Sequence, residues 1–432
     1  YDVLQRRLRD RGHETRCVRN ITDVDDSLLG KARELGVHYL DLAAGEIARF
    51  DADMEALEML PSFSEPRATS AIADIRGFIG MVLENGHAYE AGGSVYFDVD
   101  AYGKIALDEG MIPYGGLSNR QIEEQTGGDR IAVNPEKRSP QDFALWKQAD
   151  PEHLMQWYSP WGWGFPGWHL ECSVMSSFYL GETFDIHGGG IENQFPHHEC
   201  EIAQSQADTG KPFVRYWMHN NMVTTSGQKM GKSLGNAWDV VDLLEEHPAM
   251  ALRFFIVQSQ YRSTLEFAPE AITAAGAGFE RLNNTMERLR EELGSHEGSG
   301  EEPEAVASVR AAFVAAMNED FNTPVALGAL FDGVTQVNRL LADGGADKDL
   351  LASWQALLSW TFEEILGFRF EATGADASGL TPDLIDYLLE LRADARARKD
   401  FATSDAIRDR LADIGVVVED GKEGGRYRLS GK

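Results

Sequence analysis

The spacing of apolar residues divides the chain into an α/β front, a helical middle and a small mixed tail. In "YDVLQRRLRDRG" the apolar positions Val3, Leu4 and Leu8 precede Gly12, which predicts a helix stopped by glycine. "TRCVRNI" follows as a short strand, so the opening predicts a helix–strand unit of a parallel α/β sheet. Residues 27–88 read as helices: "DLAAGEIARFDADMEALEML" is amphipathic, and helical spacing restarts after Pro61 and Pro66 and closes on Gly86. "SVYFDV" at 94–99 alternates as a strand, loops rich in glycine and proline run on towards 140, and "RYWMHNNMVTT" predicts a buried strand and its exit. From about 240 the spacing turns helical through "VVDLLEEHPAMALRFFIVQS" and "AITAAGAGFERLNNTMERLREEL". "GSHEGSGEEPE" (294–304) is a linker between helices, helical spacing resumes over 305–366, and 383–432 ends as helices plus the hairpin "GVVVEDGKEGGRYRL".

Composition narrows the class. The chain has 432 residues, 43% hydrophobic and 10% aromatic, enough for two to four globular domains. No apolar run is long enough to span a membrane and the first residues lack the apolar core of a signal peptide, so a soluble, cytoplasmic protein is expected. Three cysteines, Cys17, Cys172 and Cys200, at irregular spacing argue against a disulfide framework and leave metal binding open. The formal charge of −30 disfavours a large nucleic-acid footprint and is what a high-salt surface would carry. Residues 392–410, with six basic and four acidic groups, depart from that average, and a polyanion could touch them.

Candidate chemistry concentrates in "FDIHGGGIENQFPHHECEIAQS", residues 184–205. Pro196 suits the start of a helix, which places His197 and Glu201 four residues apart on one face. An imidazole and a carboxylate at that spacing can share a divalent ion, and zinc adds a preference for thiolate. Cys172 in "PGWHLECS" is the better thiolate, because Cys200 would sit well round the helix from Glu201. His198 and Glu199 have no case of their own and read as a solvated helix face. "HGGG" with "GKSLG" suggests an esterase, but no apolar strand leads into the serine. The glycines better allow a flat ligand to lie against the backbone. "GQKMGKS" has one residue too few between its glycines for a P-loop, and what remains is a polar loop presenting Lys229 and Lys232 to developing polyphosphate charge.

The order and spacing of "VRNITDVDD", "EPRATS", "SPWGWGFPGWHLECS", "FDIHGGG", "FPHHECEIAQS", "KMGKSLGN", "EDFNTP" and "ARKDFATSDAIRDRL" resemble the cysteinyl-tRNA synthetases, among the class I aminoacyl-tRNA synthetases, over essentially the whole chain. The resemblance implies a Rossmann-type catalytic domain over 1–215 with a connective insertion at about 50–150. It further implies a stem-contact region over 216–265, an all-α bundle over 266–380 and a small anticodon-binding domain over 381–432. It implies zinc on Cys172, His197 and Glu201, and ATP with magnesium along Gly188, Gly189 and Gly190 and at Lys232, with Lys229 and Lys232 catalytic. Thr22, Trp168, His187 and Glu192 would bind L-cysteine, and Arg396, Asp405 and Arg408 would contact tRNA(Cys). The family's fourth zinc ligand and its HIGH signature precede Tyr1, Cys17 lies too late to substitute, and the chain as given is expected to be inactive. Glu192 stands where the family usually has Asp, and Gly231 where it has serine. A monomer is expected. The alternatives are a mycothiol-pathway ligase joining cysteine to an amino sugar, which lacks the anticodon domain, and a non-catalytic paralogue.

Overall fold

The computed structural model describes residues 1–120, 134–231, 234–300, 302–370, 380–421 and 424–429, which fall into two units, Tyr1–Thr273 and Ala274–Lys432. The first unit opens with α1 (Asp2–Asp10). Asp2 is buried, accepts from the Leu60 N–H at 2.7 Å and from Arg6 Nε at 2.8 Å, and pairs with the buried Arg253 guanidinium. The expected strand at "TRCVRNI" is reduced to two parallel bridges, Val18 beside Ser64 and Ile21 beside Arg67. Its neighbour contains Pro61 and Pro66, and a proline cannot donate to a ladder, so no regular strand pair forms.

Two helices follow, α2 (Asp26–Leu35) and α3 (Tyr39–Ala56). Asp25 caps α2 by accepting from the Ser27 N–H at 2.7 Å, and Gly36 ends it at φ +67°. After α4 (Ile72–Glu84) comes the first half of an antiparallel sheet, β1 (Ala88–Ala91) and β2 (Ser94–Phe97), then α5 (Val99–Glu109). The sheet is completed by β3 (Phe143–Gln148), β4 (Trp157–Ser159) and β5 (Gly162–Pro166) in the order β1-β2-β3-β5-β4.

The element that positions the chemistry is a βαβ unit. Helix α6 (Trp168–Leu180) leads to β6 (Phe184–Gly190), α7 (His197–Thr209) and β7 (Val214–Asn220), and β6 and β7 pair in parallel with Ile186 opposite Tyr216 and Gly190 opposite Asn220. In such sheets ligands gather at the carboxyl ends of the strands, where His187–Gly190 and His219 lie. Strands β8 (Val223–Thr225) and β9 (Gln228–Lys229), helices α8 (Val240–Glu246) and α9 (Ala249–Val257) and strand β10 (Leu265–Glu266) follow, with the three strands in the order β10-β8-β9.

Helix α7 packs against both α4 and α6, and every residue from His197 to Ala207 is buried. Buried polar groups call for partners, and several on α7 find different ones. Cys200 Sγ meets the Tyr114 hydroxyl at 3.8 Å, Ser173 Oγ donates to Gln204 at 3.1 Å, and Gln206 Nε2 donates to the Ile112 carbonyl at 3.0 Å. The solvated face expected for His198 and Glu199 does not exist: they are 2% and 0% exposed.

The second unit continues α10 (Pro269–Leu293) with α11 (Glu304–Asn318), α12 (Thr323–Asp343) and α13 (Lys348–Leu358), all-α as the spacing predicts. Val306, Val309, Phe313 and Met317 form the buried stripe of α11. Gly333 lets α12 approach α13, since a Cβ there would stand 2.9 Å from the Trp354 ring. The tail consists of α14 (Leu380–Ala397), α15 (Phe401–Asp413) and the hairpin β11 (Val416–Gly421) with β12 (Gly424–Leu429), joined by Ile385, Leu411 and Val416. Among the described residues, no helix is long and apolar enough to cross a membrane.

Candidate active site and metal centre

Two helices bring the thiol, imidazole and carboxylate together. Cys172 comes from α6, His197 and Glu201 from one face of α7, and their ligand atoms lie within 4.8 Å of one another. His187 and His198 form a second such group around the same Glu201. All of Cys172, His197, His198 and Glu201 are buried. His197 Nε2 and His187 Nε2 each approach a different oxygen of Glu201 at 2.7 Å, yet His187 Nε2 and both Glu201 oxygens complete no well-aligned hydrogen bond. Ligand atoms that converge in a largely buried setting without hydrogen-bond partners of their own are what an ion-binding site offers. A soft thiolate, an imidazole and a carboxylate are also a donor set that zinc accepts. The residues present therefore fit zinc.

The surroundings hold these groups in defined states. Burial by itself would raise the Glu201 carboxyl, but the imidazoles of His187 and His197 outweigh it and hold the group well below the usual carboxylate range. Burial, then the negative charges of Glu201 and Glu171, push the Cys172 thiol well up, so metal binding would have to displace its proton. His169, three residues before Cys172, places Nδ1 2.8 Å from Nδ1 of His197, which leaves the His197 Nε2 for Glu201. A supporting partner on the second ring nitrogen is how ligating histidines are oriented. His198 Nδ1 lies 2.8 Å from His219 Nε2 at the end of β7. Burial, followed by the neighbouring imidazole of His197, lowers His169 to about 3. Burial likewise lowers His198 to about 3, so both rings are neutral at ordinary pH.

Sequence reasoning missed His169, His198 and His219. The i, i+3 spacing of His169 and Cys172 was a usable signal on a helix, whereas the pairing of His198 with His219 joins residues that the chain separates by the whole of α7. Glu199 was missed as well. Its Oε2 accepts from the Gly115 N–H at 2.9 Å, and its Oε1 accepts from the Ser118 N–H at 2.6 Å and Ser118 Oγ at 2.8 Å, tying the 115–118 loop to the helix that carries His197 and Glu201.

The other expected residues border this centre. The Trp168 ring lies 4.3 Å from that of His197, and Trp168 and Thr22 line one pocket. Glu171, on α6 between Trp168 and Cys172, is fully buried near Thr22, and burial pushes its carboxyl to about 9. The three glycines permit close approach by the chain's own side chains: a Cβ at Gly188 would collide with the Tyr1 side chain, at Gly189 it would stand 3.0 Å from the His198 ring and at Gly190 2.5 Å from the Glu192 carboxylate. Glu192 pairs with Lys229 at 3.6 Å, both being half-exposed. Lys232 lies outside the described residues. Asn236 Oδ1 accepts from the Gly231 N–H at 2.9 Å and its Nδ2 donates to the Lys229 carbonyl at 3.1 Å. Cys200 is buried, and neither it nor Cys17 belongs to either ligand group.

In the second unit Arg396 ends α14, and Asp405 and Arg408 share an exposed face of α15 at 3.4 Å. Arg408 also meets Asp409 at 3.0 Å, so its charge is already shared between two carboxylates. Asp400 caps α15 by accepting from Thr403 N–H at 3.2 Å and Oγ1 at 2.7 Å.

A parallel βαβ unit interrupted upstream by an antiparallel sheet and followed by helices is the architecture of the class I aminoacyl-tRNA synthetases. Solved structures of that class share the fold. A Mycobacterium tuberculosis methionyl-tRNA synthetase in complex with methionyl-adenylate superposes with a TM-score of 0.59 at 16% identity over 84% of each chain. A putative arginyl-tRNA synthetase from Campylobacter jejuni does so with a TM-score of 0.50 at 12% identity over 86% of this chain and 88% of that one. Three family descriptions match in order: the class I (C) tRNA synthetase catalytic domain over residues 1–277, the DALR domain over 312–371 and the cysteinyl-tRNA ligase anticodon-binding domain over 379–428. The cysteine–tRNA ligase of Chlorobaculum tepidum is 45% identical over 99% of this chain and 89% of its own length. Those of Porphyromonas gingivalis (43%, over 100% and 90%) and Deinococcus radiodurans (42%, over 99% and 87%) are similarly related. The chain belongs to the cysteine–tRNA ligase family.

Proposed function

We propose that the protein condenses L-cysteine with ATP to cysteinyl-adenylate and pyrophosphate and passes the cysteinyl group to the 3′ end of tRNA(Cys), working as a cytoplasmic monomer. The observation that carries this reading is the convergence of Cys172, His197 and Glu201 in one buried centre within a chain of this family. Those three residues would hold zinc, which supplies a thiophilic ion able to take a thiol as thiolate while rejecting a hydroxyl.

The chain's own groups divide the remaining work. His169 fixes the His197 ring and His187 flanks Glu201, while Trp168 and Thr22 bound the amino acid beside them. Glu192 accepts the substrate ammonium, exchanging one cation, Lys229, for another. ATP, carried with magnesium, lies along the strand end Gly188–Gly190, and Lys229 and Lys232 meet the charge that grows on the phosphates as the cysteine carboxylate displaces pyrophosphate. That displacement depends on alignment and charge stabilisation rather than on a protein base. Arg396, Asp405 and Arg408 are the proposed anticodon-side contacts. The anticodon-binding match over 379–428 favours a tRNA acceptor over an amino sugar.

The test is cysteine-dependent ATP–pyrophosphate exchange by the full-length, zinc-replete protein, with serine as competitor. Exchange with cysteine and none with serine is expected, and Lys229→Ala should reduce it about 10²–10³-fold, the cost of removing one transition-state charge partner. Absence of cysteine-dependent exchange would defeat the reading.

A further inference from the structure

The hairpin that presents Lys229 is too short to hold its own shape. Strands β8 and β9 are three and two residues long and meet in the two-residue turn Ser226–Gly227, at φ +53° and +72°. Paired left-handed residues close tight hairpins, but a serine enters that region less readily than a glycine, and a two-stranded hairpin alone is marginal in water. The third strand, β10, runs parallel to β8 and supplies the support. The Leu265 N–H donates to the Met222 carbonyl at 3.0 Å and the Phe267 N–H to the Thr224 carbonyl at 2.7 Å. Phe267 is buried, its ring 5.9 Å from that of Phe255 on α9, so β10 is rooted in the core.

Glu266 stands between those two anchors. Register places Glu266 opposite Thr224 and Thr224 opposite Lys229, so the three side chains form a row on one face of the sheet. The Glu266 carboxylate accepts from the Thr224 hydroxyl with Oε2 and from the Gly227 N–H at 3.1 Å with Oε1. One side chain on a rooted strand thus ties down both the strand that leads into the turn and the turn itself. These bonds, that from Thr224 first, hold its carboxyl below the usual range, so it is an anion at ordinary pH. Beyond the turn, the Lys229 carbonyl accepts from Asn236 at 3.1 Å, and the Lys229 ammonium lies 3.6 Å from Glu192.

Resting on the role proposed above for Lys229, we propose that Glu266 is a positioning residue of the activation step, acting through the Ser226–Gly227 turn to set where the Lys229 ammonium stands as charge grows on the phosphates. A charge partner helps the transition state only while it is held in place, and a displacement of about 1 Å can cost about 10²-fold in rate. Hydrogen-bond acceptance is what this role requires of Glu266. A glutamine, which keeps one acceptor oxygen for Thr224 and the turn, preserves it, whereas an effect of negative charge alone would be lost with that substitution.

The experiment measures cysteine-dependent ATP–pyrophosphate exchange by the full-length, zinc-replete protein as wild type, Glu266→Ala, Glu266→Gln, Lys229→Ala and the double variant Glu266→Ala/Lys229→Ala. Glu266→Ala should lower kcat about tenfold, short of a complete misplacement, with KM for cysteine and the urea midpoint unchanged, and Glu266→Gln should restore most of the rate. The double variant should lie within about twofold of Lys229→Ala, because a residue that acts only through Lys229 has nothing left to position once the lysine is gone. Trypsin cleavage after Lys229, followed by mass spectrometry, should be several-fold faster in Glu266→Ala than in wild type, since a released turn opens more often. A wild-type rate of exchange in Glu266→Ala, a tenfold loss that persists when Lys229 is already alanine, or unchanged cleavage after Lys229 overturns the assignment. Absence of exchange in the wild type would defeat the activation reading instead, and the tryptic comparison would still decide whether Glu266 holds the hairpin.

Discussion

Replacing Glu199 by Gln should destabilise the first unit although it removes no volume. The carboxylate accepts three hydrogen bonds in a fully buried setting, one from the Gly115 N–H on Oε2 and two from Ser118 on Oε1. A glutamine keeps one acceptor oxygen. Its best orientation faces that oxygen to Ser118 and its amide to the Gly115 N–H, which leaves two buried donors opposed. One buried donor without a partner costs about 1–3 kcal/mol, and the surviving bonds lose their charge assistance, so a loss of about 3 kcal/mol is expected. Glu199→Ala strands all three donors and opens a cavity, for about 4 kcal/mol. Urea unfolding followed by tryptophan fluorescence is the suitable assay, because seven of the nine tryptophans lie in Tyr1–Thr273. A Glu199→Gln variant within about 0.5 kcal/mol of wild type would behave like a surface substitution and would refute the buried-anchor reasoning.

Glu171→Gln should act in the opposite direction. The folded-state carboxyl is raised to about 9, so its contribution is complete below the ordinary value of 4.5 and is lost as pH rises towards 9. The uncharged variant escapes that loss and should be more stable than wild type by about 3 kcal/mol at pH 7, the difference vanishing near pH 4.5 in urea titrations. For His169 and His198 the folded values are depressed from 6.5 to about 3, so their contribution is present above pH 6.5 and is lost as pH falls towards 3. Metal-free protein should lose about 2 kcal/mol per histidine between pH 6.5 and 5, and a flat stability profile over that interval would contradict the neutral-imidazole cluster. Cys172→Ser, which substitutes a poor zinc ligand, should weaken zinc retention in chelator competition by more than the roughly 10–100-fold that a lost supporting residue costs; unchanged retention would remove Cys172 from the ligand set.

What the sequence made legible was chemistry carried by residue type at short spacing. His197 and Glu201 were visible because four residues is about one helical turn, and Cys172 because Cys200 would sit well round the helix from Glu201. The all-α middle and the terminal hairpin were visible from period alone. The misses share a cause. His198 and Glu199 resembled a solvated face because nothing nearby in sequence answers them, while their partners, His219 and the 115–118 loop, are brought in by the fold. The strand expected at "TRCVRNI" failed for a related reason: β-structure depends on its neighbour, and that neighbour contains prolines. The glycines of "HGGG" were legible as close-approach positions, but their visitors are Tyr1, His198 and Glu192 rather than open space.

The burial of α7 on all sides also explains why an acidic chain can maintain a dry, charged centre. A helix with a solvated face could slide or rotate by a fraction of a turn at small cost, and ligand atoms that must meet within a few tenths of an ångström would separate. Here the faces of α7 are fixed by chemically different partners: Tyr114 at Cys200, Ser173 at Gln204, the 115–118 loop at Glu199 and β7 at His198. Rotating the helix would break all of them together, because the α7 side chain in each is buried. The hydrogen bonds of the neighbouring residues therefore set the position of His197 and Glu201.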